Sequence, residues 1–483
     1  MSPHSPTEQF FPTWSDYVEW VPDVFACLWA ELENNIQKVV GHAWGHQRPA
    51  EVDRFVELLL NAPDGRLPPL METYLKGTEP FDRKIRFTVP PKPWLRRAFV
   101  VAQSIDLAFE TIRPKATPAG GLLKASKGLG AFNRQQRQHG SYGRNPGALG
   151  HVIPRGPLRL DRGKVGGNGD NLEQEFPHLT VVRPGALGPA YRLNVRVLPR
   201  RMSADAPDDT RVGFVPLAEQ ADDLHFQAIT PSEGGAFLDV VPTDETALAE
   251  RALKALAELD AQGAHIAVFP ELCVGPTTRR LIREGLRRKP AGSLSLILLG
   301  SGISEEPAEE DRFYNECTAL NGRGDVLWQQ RKMNGYAMDC GRLTGCGIDH
   351  TATGMDHREW TWSGNVLEVV ETEAGRRLMV LICEDLEQDM PSRAACRLTR
   401  PDWVFTPVLD ASLRVGRWTH KRGWIWRTSS LIAWSSPTAR SCTLAPGRRM
   451  PSWMLTAASA CASTAPSRAA STSPRSPCQA HRP

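Results

Sequence analysis

The chain has no aspartate or glutamate after Asp410, and its last part, 425–483, consists mostly of Ser, Ala, Pro, Arg and Thr. It also has no apolar run near the roughly 18 residues that a membrane span requires, so we expect no membrane partner. The start lacks a basic stretch followed by an apolar one, and the ten cysteines are too scattered for a disulfide framework. These absences predict a cytoplasmic protein with reduced thiols.

Excess positive charge is confined to parts of the chain. The net charge is +4, but residues 425–483 carry seven arginines and no acid, which leaves a net charge of −3 for the remainder. A Gly-rich basic segment, 113–207, offers few aromatic stacking surfaces, among them Phe132 and Tyr142, and has no nucleic-acid-binding signature. We therefore do not expect nucleic acid as a partner, and we interpret this segment as a flexible, solvated linker or an extension.

The sequence patterns divide the chain into four parts. Helical periodicity dominates 1–112, which predicts a mainly helical domain of unknown role. After the segment 113–207, strands and helices alternate over 208–424, with both hairpins and helical crossovers, which favours a layered α/β sandwich. Within it, Thr243 or Asp244 is expected to cap a helix. The glycine-containing turn at 321–325 predicts a β-hairpin.

Three polar residues each end a separate apolar strand, namely Glu271, Lys332 and Cys383. Because strand ends of an open sheet converge at one rim, we expect these side chains to meet. A thiol can attack a carbonyl or nitrile carbon while a carboxylate moves its proton, and the ammonium and the Glu384 backbone N–H can stabilise the oxyanion. A helix start after Cys383 is expected to favour the thiolate. Taken alone, Cys383 could instead be a core cysteine.

The segments around these residues resemble a known family in both order and spacing. They are Phe269-Pro270-Glu271-Leu272, then Tyr314-Asn315-Glu316 leading to Arg331-Lys332, then Leu381-Ile382-Cys383-Glu384-Asp385. Together they resemble the three signature segments of the nitrilase superfamily, the carbon–nitrogen hydrolases, over about 208–424. The resemblance implies an α-β-β-α sandwich, a homo-oligomer, a Glu–Lys–Cys triad, and no cofactor or metal. Glu359, shortly before an aromatic residue and a glycine, best matches the family's second active-site glutamate.

The residues after the nucleophile favour an amide substrate over a nitrile. True nitrilases of the family have Trp after the cysteine, whereas Cys383-Glu384-Asp385 resembles the glutaminase part of NAD synthetases. The resemblance therefore implies hydrolysis of a small non-peptide amide through a thioester, with release of ammonia or an amine. Two alternatives stay open: acyl transfer to an amine, and an inactive protein that serves as a binding module.

Two groups of possible metal ligands occur in the sequence. His42 and His46 lie four residues apart, but no third ligand is near them in the sequence. The stretch between Lys332 and Glu359 contains a second group, Cys340, Cys346, His350 and His357. Its spacing matches no common zinc finger, so we interpret it as an ordinary pocket-forming loop and expect no metal.

The tail, 425–483, is interpreted as the product of a shifted reading frame. Back-translating 424–439 and adding one G after the first codon gives WDLADEFADRVVVANS, in which acids, a helix pattern and an apolar strand return together. The same shift turns 450–465 into DAVVDADGRIGVRVDR, a strand–turn–strand pattern. We therefore predict that the tail as written forms no native family structure and that the sandwich lacks its final strands.

Overall fold

The computed structural model describes residues 13–35, 50–77, 93–110, 127–155, 172, 175–198, 210–218, 221–231, 234–307, 312–348, 354–372, 376–409 and 431–435. Its helices are α1 (Val21–Glu33), α2 (Ala50–Asn61), α3 (Pro69–Lys76), α4 (Pro93–Ala108), α5 (Lys127–His139), α6 (Pro146–Leu149), α7 (Glu245–Ala261), α8 (Pro276–Arg288), α9 (Cys340–Gly345) and α10 (Ala394–Thr399). Single 3-10 turns lie at Trp14–Tyr17, Ala221–Asp223 and Cys383–Leu386. Within these ranges, every helix is too short or too polar to cross a membrane.

The strands are β1 (His151–Pro154), β2 (Leu179–Val182), β3 (Arg192–Val197), β4 (Val212–Phe214), β5 (Leu224–Ile229), β6 (Phe237–Pro242), β7 (Ile266–Val268), β8 (Leu296–Leu298), β9 (Gly302–Ile303), β10 (Phe313–Leu320), β11 (Val326–Arg331), β12 (Ala337–Met338), β13 (His357–Glu359), β14 (Thr361–Trp362), β15 (Val366–Glu371), β16 (Arg377–Val380), β17 (Trp403–Pro407) and β18 (Leu431–Ser435). The first sheet has the order β11-β10-β8-β7-β4, with β9 and β14 also paired to β10. The second sheet has the order β18-β17-β16-β15-β3. Smaller sheets are β12-β13-β6-β5 and β1-β2.

The two large sheets share one hydrophobic core. Val268 of the first sheet and Val380 of the second are both fully buried in it. Successive residues of a strand point to opposite faces, so Ala267, next to Val268, belongs to another cluster, which also contains Leu248 of α7 and Ile282 of α8. The described chain is therefore a mixed α/β structure in which helices cover the outer face of the first sheet.

Two local predictions in this region are confirmed. The Asp244 carboxylate caps α7 by accepting hydrogen bonds from the backbone N–H groups of Thr246, at 3.0 Å, and Ala247, at 2.9 Å. Strands β10 and β11 pair in antiparallel fashion around the turn at 321–325. Both features depend on neighbouring residues only, because a cap and a turn are set by local backbone hydrogen bonding.

The segment predicted as a flexible linker is folded wherever the structure describes it. Helix α5 and β2 contribute Phe132 and Val181 to the same hydrophobic cluster as the N-terminal helices. Phe132 stacks on Phe109, with ring centroids 5.4 Å apart. Strand β3 pairs in parallel with β15 over six residues and so joins the second large sheet. The linker interpretation is therefore wrong for 127–155 and 175–198, because apolar residues dispersed among glycines and arginines still find a shared core. The boundaries at 112 and 207 stay predictions.

One short piece of the tail also departs from the expectation. Leu431–Ser435 form β18, which pairs in parallel with β17 along its whole length. The written sequence supplies an apolar run there, and an open strand edge accepts any chain that can donate and accept backbone hydrogen bonds. The rest of 425–483 lies outside the described residues, so the shifted reading frame stays a prediction.

Candidate active site

The three predicted residues lie together just beyond strand ends. Lys332 follows β11 directly, and its Nζ lies 2.8 Å from Oε1 of Glu271, which follows β7. The Cys383 thiol, beyond the end of β16, lies close enough to the Glu271 carboxylate and the Lys332 ammonium for both charges to shift its pKa. All three are buried, with exposed fractions of 2% for Glu271, 3% for Lys332 and 8% for Cys383. A thiol, a carboxylate and an ammonium thus lie near one another in a site that is shielded from solvent.

Glu359, at the end of β13, belongs to the same cluster. Its Oε2 lies 2.6 Å from the Lys332 Nζ and also accepts the backbone N–H of Tyr336, at 3.2 Å. Lys332 therefore touches two carboxylates. An ammonium has three N–H donors, so two of them serve Glu271 and Glu359 and a third is left for another acceptor.

Asn315 closes this cluster into a ring, a role that its place in the sequence pattern did not reveal. Its Nδ2 donates to Oε1 of Glu271, at 3.1 Å, and to Oε1 of Glu359, at 2.8 Å. Asn315 is fully buried. The second oxygen of Glu271 accepts the backbone N–H of Leu409, at 3.0 Å. Both carboxylates are thus held in place by groups other than the lysine.

Burial controls the protonation of the thiol and of the ammonium. Burial and the Glu271 carboxylate raise the pKa of Cys383 well above its ordinary value, and the Lys332 charge lowers it only in part. Burial also disfavours the Lys332 ammonium, but the charges of Glu271 and Glu359 outweigh it and raise its pKa well above the ordinary value. The resting state that these shifts favour is a neutral thiol beside a charged lysine.

This resting state differs from the expected thiolate. The helix that begins at Cys383 is one 3-10 turn, Cys383–Leu386, and it is too short to build the dipole of a long helix. Because burial raises the thiol pKa, Cys383 would have to pass its proton to a base in order to act as a nucleophile. The Glu271 carboxylate, which lies nearby, is the predicted acceptor of that proton.

The backbone is in an uncommon conformation at two points of the site. Cys383 has a φ of 45° and Leu272, directly after Glu271, has a φ of 59°. Left-handed φ values at residues with side chains cost on the order of 1–3 kcal/mol and persist only where the surrounding structure holds them. Both values occur where a strand end turns sharply, so the folded chain strains its backbone at Cys383 and beside Glu271.

A buried carboxylate joins the loop after Lys332 to the turn at Cys383. Oδ1 of Asp385 accepts the backbone N–H groups of Met333, at 3.0 Å, and Asn334, at 2.8 Å, as well as Nδ2 of Asn334, at 3.0 Å. Its Oδ2 accepts the backbone N–H of Ile382, at 3.3 Å. Asp385 was recognised only as part of a motif. The preceding Glu384 accepts a hydrogen bond from Gln388, and its backbone N–H stays a predicted oxyanion donor.

The possible metal ligands do not form a site in the part of the chain that the structure describes. His42, His46 and His350 lie outside the described residues. Cys346 has its Sγ 4.0 Å from Sδ of Met338. Across the described ranges, no group of three or more His, Cys, Asp or Glu side chains is arranged to hold a metal ion.

No family model and no curated protein sequence matches this chain. It is similar to solved structures of amidases, one being a variant from Nesterenkonia sp. AN1 with the acetamide moiety of fluoroacetamide on its active-site cysteine, at 18% identity and a TM-score of 0.32, covering 50% of this chain and 78% of that one. Another is an amidase from Nesterenkonia sp., at 18% identity and a TM-score of 0.30, covering 46% and 78%. A third is a variant of a Nesterenkonia AN1 amidase from the nitrilase superfamily. It has 18% sequence identity and a TM-score of 0.32, and the match covers 48% of this chain and 78% of that one. Likeness this low permits no conclusion about the present chain.

Proposed function

We propose that this chain is a carbon–nitrogen hydrolase that cleaves a small non-peptide amide through a cysteine thioester. One observation carries the proposal: Lys332 is buried between Glu271 and Glu359, and the Cys383 thiol lies close enough to all three for their charges to shift its pKa. A structural ion pair needs only one carboxylate for one lysine. The second carboxylate keeps Lys332 charged while Glu271 accepts the proton of the neighbouring thiol.

In the first half of the proposed reaction, Cys383 is acylated. Glu271 takes the thiol proton as Sγ attacks the amide carbon, and the carbonyl electrons move to the oxygen. The remaining N–H of Lys332 and the backbone N–H of Glu384 stabilise this oxyanion. Collapse of the intermediate breaks the carbon–nitrogen bond, and the leaving amine takes the proton from Glu271. The product is a thioester on Cys383 plus ammonia or an amine.

In the second half, water releases the acid. Glu271 takes a proton from a water molecule as the water oxygen attacks the thioester carbon. The N–H groups of Lys332 and Glu384 stabilise the second oxyanion. The carbon–sulfur bond then breaks, and the Cys383 sulfur recovers the proton. Glu359 takes no part in proton transfer in this scheme, and its contacts keep Lys332 charged and in place. The cycle restores the starting enzyme and needs neither cofactor nor metal.

The finer structural expectations belong to the same proposal. We infer that the two large sheets, with helices on their outer faces, form an α-β-β-α sandwich of the nitrilase type. The shared core between the sheets and the cover of α7 and α8 support it. The homo-oligomer and the small-molecule amide substrate rest on the sequence resemblance, and the cytoplasmic location rests on the lack of a long apolar run and on the scattered cysteines.

The test is ammonia release from a panel of small amides by the full chain and by Cys383→Ala. We expect the variant to lose activity on the order of 10⁶-fold, the scale on which loss of a nucleophile acts, with its melting temperature preserved. Cys396→Ala is a matched control. Cys396 lies on α10, is buried next to Met379 of β16, and has no proposed role. Full activity of Cys383→Ala would refute the proposal. Added hydroxylamine that outcompetes water for the acyl group would favour acyl transfer instead.

A further inference from the structure

Tyr191 precedes the predicted hydrolase domain, yet it touches the loop that follows Lys332. It lies just before β3, and its ring packs against the core between the two large sheets. Its hydroxyl donates a hydrogen bond to Oδ1 of Asn334, at 3.2 Å, across 143 positions of sequence. Strand β3 is fixed beneath it by six residue pairs with β15. Tyr191 thus lies next to the second sheet and contacts Asn334, which follows the last residue of β11 in the first sheet.

Asn334 passes this contact on to the turn that carries Cys383. Its Nδ2 and its backbone N–H both donate to Oδ1 of Asp385. The Asp385 carboxylate requires the NH2 side of the amide, so Oδ1 of Asn334 faces away and meets a donor, the Tyr191 hydroxyl. The three side chains therefore form a directed chain of hydrogen bonds that ends two residues from Cys383 and two residues from Lys332.

The position of these hydrogen bonds matters because Lys332 and Cys383 come from different sheets. Lys332 follows β11 of the first sheet, whereas Cys383 follows β16 of the second. The ladder hydrogen bonds within either sheet cannot set the distance between the ammonium and the thiol. Contacts that cross from one sheet to the other have to do so, and the Asp385 and Tyr191 hydrogen bonds are of this kind.

We propose that Tyr191 is a positioning residue, which acts through Asn334 and Asp385 to hold Lys332 and the Cys383 turn at their working separation. The segment before the hydrolase domain then supplies part of the active-site support and is not a separable appendage. The catalytic consequence rests on the proposed function, but the effect on the thiol does not, because alkylation of Cys383 requires no amide hydrolysis.

The experiment compares Tyr191→Phe with Tyr17→Phe in the full chain. Tyr17 packs against the N-terminal cluster and is a matched loss of one hydroxyl. Both proteins are treated with iodoacetamide, and the rate at Cys383 is measured by peptide mass spectrometry, with Cys340, which is partly exposed, as the internal reference. We expect Tyr191→Phe to slow alkylation of Cys383 roughly 2- to 10-fold, the effect of one net hydrogen bond. Tyr17→Phe should leave the alkylation rate of Cys383 unchanged. The alkylation rate of Cys340 should be unchanged in both variants.

A purely structural role would lower the melting temperature and leave the thiol and kcat alone. We expect the opposite: melting temperatures of Tyr191→Phe and Tyr17→Phe that agree, and for Tyr191→Phe a fall in kcat similar to the fall in alkylation rate, with KM within about twofold. Because the effect passes through Asn334, Tyr191→Phe should add nothing to Asn334→Ala.

Three outcomes overturn the proposal: an unchanged alkylation rate in Tyr191→Phe, a change that Tyr17→Phe shares, or additive effects in the double variant. If the unmodified chain hydrolyses no amide, the proposed function fails. The alkylation comparison then still decides whether Tyr191 positions the thiol.

Discussion

The N-terminal helices and the candidate active site both bury carboxylates, but they surround them with different partners. In the helical part, Asp106 is fully buried and accepts the backbone N–H groups of His178 and Leu179, the latter at 2.7 Å. In the candidate active site, Glu271 accepts hydrogen bonds from the side chains of Lys332 and Asn315. One arrangement ties two stretches of backbone together, whereas the other assembles groups that can exchange protons.

This difference indicates under which condition a buried carboxylate points to a catalytic role. A backbone N–H does not pass its proton to a carboxylate, so hydrogen bonds of this kind, to Asp106 as well as to Glu271, only hold the carboxylate in place. A carboxylate beside a lysine and a thiol can exchange protons with its neighbours, and groups with shifted pKa values, such as Lys332 and Cys383, gather at functional sites. Burial alone does not separate the two regions, but the buried ammonium and the buried thiol near Glu271 distinguish the candidate active site. Five changes would break or sharpen this comparison.

The largest effect is expected for Lys332→Met. The substitution leaves Glu271 and Glu359 buried together without their shared cation, and breaking a buried pair in this way costs about 3–5 kcal/mol. We expect the free energy of unfolding in urea to fall by that amount and amide hydrolysis to disappear. Lys254→Met, on α7 and away from the cluster, is the control. Unchanged stability of Lys332→Met would mean that the cluster carries no charge.

The next effect concerns pH, through Asp385. Burial raises its pKa from an ordinary value of 3.8 to about 7, although the Lys332 charge and the N–H donors of Met333 and Asn334 lower it. Between these values the folded state holds a proton that the unfolded state has released, so stability falls as pH rises through this window, by roughly 1.4 kcal/mol per pH unit. The difference in stability between the unmodified chain and Asp385→Asn should show this slope and level off above pH 7. A flat difference from pH 4 to 8 would contradict the shift.

A core substitution in the helical part should separate stability from chemistry. Leu28 is 1% exposed in the N-terminal cluster, and Leu28→Ala removes apolar contacts and leaves a cavity. We expect a loss of about 2–5 kcal/mol in the free energy of unfolding. The rate of alkylation of Cys383 in the folded protein should be unchanged. A changed rate would show that the helical core influences the active site directly.

Asn315→Ala should have a smaller effect on stability than the loss of the lysine. It removes one donor from each of two buried carboxylates, which costs about 1–3 kcal/mol, and kcat should fall with it. Asn194→Ala is the matched control, because Asn194 donates to Glu368, at 2.9 Å, away from the cluster. Equal effects of the two substitutions on kcat would argue against a ring of catalytic groups.

The smallest effect is expected on the surface. Arg280 and Glu284 form an exposed pair four residues apart on α8, at 3.0 Å. Arg280→Ala should change the free energy of unfolding by only about 0.3–0.5 kcal/mol, and added salt should reduce the difference. A loss as large as that of Lys332→Met would mean that exposure does not distinguish the two kinds of ion pair.

The sequence by itself determined the features that depend on neighbouring residues. The cap of α7 at Asp244 and the hairpin of β10 and β11 follow from a side chain near a helix start and a turn between two apolar runs. It also indicated which polar residues end strands, because a strand that stops at Glu271 or Cys383 is visible as an apolar run followed by a polar residue.

Only the tertiary structure decided the rest. Asn315 lies 44 positions from both Glu271 and Glu359, and Tyr191 lies 143 positions from Asn334. Strand β3 joins the second sheet from a segment whose composition indicated a linker. Contacts between distant residues leave no periodicity in the sequence, because they depend on how sheets and loops are packed and not on which residues are adjacent. The residues expected to react, and Glu359 beside them, are visible in the sequence, whereas the contacts of Asn315 and Tyr191 are visible only in the folded chain.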